Sequence, residues 1–300
     1  MRPLVFAALI ALAFVPLEHV FQARPSTRRT FAADAGFATF GAILTQVGLA
    51  FGAGIVLREL ELFAPDRSPF GHAHPGVGLA ASLVLFEFGG YVYHRLAHRV
   101  PWLWRFHEVH HSSESLDFLA GFRQHPVEIV LMTLAQNAPL VLLGIPIGVH
   151  ATLLVLLKVN TIFVHSNLDV RIGALRYVLA TPRFHHRHHA RDGASRNFAS
   201  MLPLFDHLFG TASDEAADRF GLCEPMPTSF AGLLARPFRR RSDPAFEMPT
   251  PRTWLRRVHV RGRITPNRPS RVPRSPMRSA ARGRPRRRRS GDRRRTSPRP

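Results

Sequence analysis

The chain has 300 residues, 45% of them hydrophobic, and a formal net charge of +21. Residues 251–300 hold nineteen arginines and one acid, Asp292, so they carry +18 and leave only +3 for residues 1–250. A nearly neutral, apolar body is therefore joined to a basic tail, and the single cysteine, Cys223, excludes an intramolecular disulfide and a CxxC metal site.

Residues 3–21 form an apolar run long enough to cross a bilayer at about 1.5 Å per residue. A signal peptide is the competing reading. Only Arg2 precedes the run, and Pro16, Glu18 and His19 interrupt its end without a small-residue cleavage site, which favours a retained span. Arg24, Arg28 and Arg29 follow as a basic linker. The second apolar run, residues 35–57, is uncharged, and a polar loop with prolines then covers residues 58–76. The third run, residues 77–93, contains one acid, Glu87, and opens into a dense polar block over residues 94–128. Runs over residues 129–143 and 147–164 meet at Gly144-Ile145-Pro146, the expected tip of a helical hairpin, with Lys158 their one charge. A second polar block spans residues 165–211, and from about Arg239 an Arg/Pro/Ser-rich tail lacks apolar periodicity and is expected to be disordered.

The excess of arginine in cytoplasmic loops gives a topology. With Arg24, Arg28 and Arg29 placed inside, the later runs deliver His94, His165 and the basic tail to that same face. The predicted fold is therefore all-α: a polytopic membrane helical protein with a cytoplasmic histidine-rich helical cap and a disordered basic C-terminal tail. Its expected parts are N-terminal spans and loop (1–78), a histidine-rich region (79–238) whose bounds and catalytic role are what the family resemblance given below implies, and the tail (239–300).

Histidine is the unusual residue, with 17 copies, many of them clustered. His94-Arg-Leu-Ala-His98 is an HxxxH motif; His107-Glu-Val-His110-His111 and His185-His-Arg-His188-His189 are both HxxHH. On a helix, positions i, i+3 and i+4 share a face, so each motif projects its imidazoles to one side. Packed imidazolium ions would repel one another, whereas a metal binds the neutral ring and removes that conflict. Eight histidines at these positions are too many for one four-coordinate ion, so two metals are expected. Imidazole suits iron, zinc and copper alike, so the ligand type alone leaves the metal open.

The stretches Tyr91 to His98, Leu103 to Ser112 and Arg123-Gln-His125-Pro126-Val-Glu128 together resemble the fatty acid hydroxylase/sterol desaturase superfamily. The later run Thr181-Pro182-Arg183-Phe184-His185-x-x-His188-His189, then Asn197 and Asp206-x-Leu208-Phe209-Gly210-Thr211, continues the likeness in order and spacing, over about residues 79–238. Glu87, Phe198-Ala199, Phe205 and His207 depart from the usual residues without removing a histidine. The resemblance adds His125 and His165, and so implies a ligand set of His94, His98, His107, His110, His111, His125, His165, His185, His188 and His189. Because metal-bound histidines pass their other ring N–H to an acceptor, Glu128, Asp206 and Asn197 are the expected supporting partners.

The same resemblance implies an oxygen-dependent lipid hydroxylase or desaturase of a bacterial plasma membrane. Two iron ions are its expected cofactors, zinc being a possible substitute in purified protein. Its expected partners are a lipid from the bilayer (fatty acyl, sterol or related), O2, and an external electron donor of small cytochrome or ferredoxin type, since no GxGxxG fingerprint precedes a helix. Nucleic acid is not an expected partner. Two other classes remain as alternatives: a zinc-dependent membrane hydrolase, and a non-enzymatic membrane protein binding anionic partners through the arginine tail.

Overall fold

The computed structural model describes residues 3–25, 30–48, 54–62, 74–145, 147–192 and 195–239. Arg28, Arg29, most of the 58–76 loop, Pro146 and the arginine-rich tail lie outside the described residues. The rest is helical, with two isolated β-bridges, Gln22 to Leu168 and Ala190 to Phe220.

Helix α1 (Pro3–Val20) sends Ile10 and Phe14 into the main core. The uncharged second run begins as α2 (Phe31–Gly36), passes through one π-helical turn at Phe37–Gly41, and continues as α3 (Ala42–Gly48). Helix α4 (Gly54–Leu62) follows, beyond residues 49–53, which lie outside the described residues. Among the described residues, Gly76–Ala97 of α5 (Pro75–Ala97) is the one helical stretch long and apolar enough to cross a membrane. Residues 4–20, 31–44, 126–142 and 155–165 form shorter apolar helices. The fold is thus all-helical with one candidate span, where hydropathy alone anticipated several. Val84, Phe88, Val92 and Leu96 repeat every fourth residue along α5 and are exposed, a stripe suited to hydrocarbon.

Four helix starts are set by the same local chemistry. Proline at the first helical position has no N–H to leave unpaired and already holds a helical φ. Pro75 opens α5, Pro101 opens α6 (Pro101–His111), Pro126 opens α7 (Pro126–Leu142) and Pro182 opens α9 (Pro182–His188). The caps before them differ: His74 accepts from the Gly76 N–H at 3.1 Å, His125 from Val127 at 3.2 Å, and Thr181 from Phe184 at 3.3 Å. These prolines fix where α6 and α9 begin, and hence which turn each histidine occupies.

Helix α7 ends at Leu142, Gly144 turns with φ 63°, and α8 (Ile147–His165) resumes, so the expected break falls at this glycine. Short helices α10 (Leu204–Leu208) and α11 (Phe230–Ala235) complete the described chain, with 3-10 turns at Phe118–Phe122, Gly173–Tyr177 and Arg236–Phe238. The main core joins Ile10 and Phe14 of α1, Phe37, Val109 of α6, Phe118, Phe122 and Ile162 of α8. Val109, Phe118 and Phe122 come from within the first polar block itself.

Helices α5 and α7 meet backbone to backbone at Gly89. A Cβ there would fall 2.3 Å from the Ala135 carbonyl oxygen and 3.1 Å from Gln136 Cα, neither of which can yield as a side chain would. Gly89→Ala is therefore expected to push the helices apart and destabilise the protein by about 1–3 kcal/mol. Thermal unfolding in detergent should show the loss; an unchanged Tm would refute this packing.

Candidate metal centre

Nine buried or nearly buried histidines converge in two groups. The first is His94 of α5, His98 at its C-cap, His107 and His111 of α6, and His188 of α9; the second is His110 of α6, His165 of α8, His185 of α9 and its C-cap His189. Within each group the potential ligand atoms all lie within 4.8 Å of one another. The contacts are made by Nε2 throughout. In the first group His94 and His107 are 3.1 Å apart, His107 and His98 3.0 Å, His98 and His111 3.1 Å, and His111 and His188 3.0 Å. In the second, His165 stands 3.0 Å from His110, 3.0 Å from His185 and 3.2 Å from His189.

The opposite ring nitrogens fix the tautomers. A carbonyl can only accept, so an Nδ1 beside one carries the proton and leaves Nε2 with its lone pair. His94 donates to Phe198 O at 2.6 Å, His110 to Arg123 O at 3.0 Å, His165 to Thr161 O at 2.6 Å and His188 to Arg196 O at 2.8 Å. His107 Nδ1 meets the Glu128 carboxylate, and His98 Nδ1 lies 3.1 Å from Ser195 Oγ. Among the described residues, His185 and His189 Nδ1 have no hydrogen-bond partner.

Charge state follows from burial. Desolvation drives His107, His110, His111, His185, His188 and His189 well below the ordinary imidazole range, and neighbouring imidazoles push the same way. The rings are neutral, and their Nε2 lone pairs face one another across about 3 Å, which is repulsive unless a cation sits between them. Metal–nitrogen bonds of about 2.1 Å at right angles place adjacent donors about 3 Å apart. The donor set therefore fits two imidazole-preferring transition-metal ions.

The groups adjoin. Helix α6 serves both, as does the α9 segment, and the His111 and His189 rings stack with centroids 4.4 Å apart. Trp104 is buried against His98 and His111 at centroid distances of 5.0 and 5.5 Å, while Trp102 is exposed.

The structure does not bring His125 into either group. Its Nδ1 caps α7 and its Nε2 lies 3.2 Å from Leu234 O. Glu128 sits directly on His107. Asp206 acts at one remove: its carboxylate accepts from the Phe198 and Ala199 N–H groups at 2.9 and 2.7 Å and from Thr211 Oγ1 at 2.6 Å, holding the backbone that takes the His94 proton. Asn197 adopts φ 54° and bonds Phe184 O, Ser213 O and Ser213 N, bracing α9 against the following loop. Glu87, one of the residues that depart from the usual pattern, accepts from Met201 and Leu202 N–H at 2.7 and 3.1 Å.

His186, to which the motif gave no role, is 1% exposed. Arg24 Nη1 is 2.8 Å from its Nδ1, and an arginine can only donate, so Nε2 carries the proton and points to His165 O at 3.3 Å. Burial and Arg24 push this imidazole down to about 3.

Residues 79–211 match the fatty acid hydroxylase family profile. This stretch, a little under half of the chain, is similar to that family. The chain is 30% identical over 206 residues to the ornithine lipid hydroxylase OlsE of Rhizobium tropici, covering 65% of this chain and 62% of that protein. The alkylglycerol monooxygenase of Homo sapiens is 33% identical over 145 residues, 47% of this chain and 32% of that one. The fatty acid hydroxylase vlmA of a Lecanicillium species is 26% identical over 192 residues, 55% of this chain and 52% of its own. The chain thus spans from about a third to under two thirds of these relatives. No solved structure matches significantly.

The depressed histidine pKa values set a pH dependence for metal-free protein. Between the folded values and the ordinary 6.5, the unfolded chain binds more protons, so stability falls as pH drops below 6.5 and is fully present above it. Tm of the apo-protein is expected to decline steeply from about pH 6.5 towards pH 5, the six histidines outweighing the opposite contribution of Glu128, whose buried carboxyl is raised to about 8. A level profile would mean the rings are not buried neutral.

Proposed function

We propose that the protein is a membrane-associated lipid hydroxylase whose two histidine groups each hold an iron ion. The convergence of nine Nε2 lone pairs in adjoining groups of five and four carries this reading. His94, His98, His107, His111 and His188 are the proposed ligands of one ion and His110, His165, His185 and His189 those of the other. The two irons, when bound, supply the redox change that activating O2 against an unactivated C–H bond requires, which redox-inert zinc cannot supply. Electrons come from a separate carrier of small cytochrome or ferredoxin type.

The chain's own residues do the rest. Glu128 and the carbonyls of Phe198, Arg123, Thr161 and Arg196 hold the ring N–H groups of five histidines, which orients the rings and raises their basicity. Phe198 lies edge-on to His94, His98 and His188 at centroid distances of 5.4–5.7 Å and keeps water from that side of the first group. Tyr91, Phe205 and Phe209 extend this apolar wall to Phe88 on the exposed stripe of α5. An acyl or alkyl chain leaving the bilayer along α5 would meet this wall beside the histidines. A lipid substrate also fits the similarity to OlsE, an ornithine lipid hydroxylase.

The test is lipid profiling of cells with and without the gene under ¹⁸O2. A lipid gaining one ¹⁸O only when the gene is present is the expected result, and His188→Ala and His165→Ala should each abolish it. Purified, iron-loaded protein should hold two irons; holding no more than one would defeat the proposal. Glu128→Gln, which keeps the shape but weakens the acceptor on His107, should lower metal affinity roughly 10–100-fold, read by competition with a chelator.

A further inference from the structure

We infer that Glu18, Arg24 and Asp34, all N-terminal to the family-matched region, are positioning residues for the second histidine group and not for the first. The inference rests on the two-metal reading above. Three sets of contacts carry it.

The first set holds the chain just after His165. The Glu18 carboxylate accepts the N–H groups of Asn167 and Phe118 at 2.8 and 2.7 Å and is buried with them. Arg24 pairs through its backbone with the Asn167 amide, donating at 3.2 Å and accepting at 2.7 Å. Ala23 N–H meets Asn167 O at 2.8 Å, and Asp169 N–H meets Phe21 O at 3.1 Å. The end of α1 and the segment after it therefore clamp residues 167–169 much as a short strand would.

The second set reaches His165 itself. The Arg24 guanidinium, lying 4.8 Å over the Phe220 ring, donates to His186 Nδ1, and His186 passes its other N–H to His165 O. His186 thereby ties the N-terminal segment to α9 and α8 at once, between His185 and the last residue of α8.

The third set reaches His110. Its Nδ1 proton goes to Arg123 O, and the Arg123 side chain, 1% exposed, donates to Asp34 at 2.5 Å, to Ser112 Oγ at 3.1 Å and to Thr30. A guanidinium so buried needs its carboxylate partner, so Asp34 fixes the arginine whose carbonyl fixes His110. The described partners of the first group's Nδ1 atoms are Phe198, Ser195, Glu128 and Arg196, all of them within or after the α5–α7 region. None comes from the N-terminal segment.

The experiment measures metal retained per full-length chain after challenge with a graded chelator, in wild type, Arg24→Met and Asp34→Asn. Wild type should retain two ions. Each variant should lose one with a chelator midpoint roughly 10–100-fold lower, the range seen when a ligand's supporting partner is removed, and Arg24→Lys, which can still donate to His186, should recover most of it. Site assignment comes from backgrounds: combined with His94→Gln/His188→Gln, Arg24→Met should leave almost no retained metal, whereas combined with His165→Gln it should cost nothing further. Should Arg24→Met lack a cooperative melt, Asp34→Asn in the same backgrounds carries the test through Arg123. Retention of two ions with an unshifted midpoint, or equal weakening of both groups, overturns the inference. Wild type holding fewer than two overturns instead the two-metal reading on which it stands.

Discussion

Nine neutral imidazoles whose lone pairs face inward are the constraint around which this protein is organised. Left alone, such an arrangement is unfavourable twice over: the rings are removed from water, and acceptor confronts acceptor. Each ring must therefore be kept neutral, in one tautomer and in one rotation. Burial secures the first, as the depressed imidazole pKa values show. For five of the rings, backbone carbonyls and the Glu128 side chain secure the other two by engaging Nδ1 from behind. Proline-started helices, close contact at Gly89 and the brace at Asn197 then hold those carbonyls where they are needed.

Support for the two groups comes from different parts of the chain. The first leans on the segment around Phe198, itself gripped by Asp206, and on Glu128 at the start of α7. The second leans on Arg123 and on the backbone around His165, both of which are gripped by residues before position 35. The main core includes Val109, next to His110, and Ile162, three residues before His165, so apolar packing and polar clamping meet on neighbouring residues.

Much of the site could be read from spacing, because spacing is what a helix converts into direction. The intervals of three and four in HxxxH and HxxHH put His107 and His111 on one face of α6, and the structure brings all eight motif histidines, with His165, into the two groups. His125 is different. It precedes a proline, the usual place for a helix cap, and it caps α7, so the local signal Xaa-Pro explains its place better than the likeness to a ligand motif. The carbonyls of Phe198, Arg123, Thr161 and Arg196 could not be found in sequence at all, since every residue carries one. The clamp from Arg24 to His186 was equally hidden: its partners are 162 positions apart, and nothing in the intervening chain marks them. Of the apolar runs marked by hydropathy, the third forms the one described helix long and apolar enough to cross a membrane, and the second runs through a π-turn between α2 and α3.

Helices α6 and α9 contribute rings to both groups, whereas α5 serves only the first and α8 only the second. A rotation of α6 or α9 would thus disturb both groups together, since each carries three of the nine rings. Any local breathing has to come from the outer walls. Displacing α5 would loosen one half while the other stayed shut, and displacing α8 would do the reverse. The architecture permits the two halves to open one at a time but gives them no shared door.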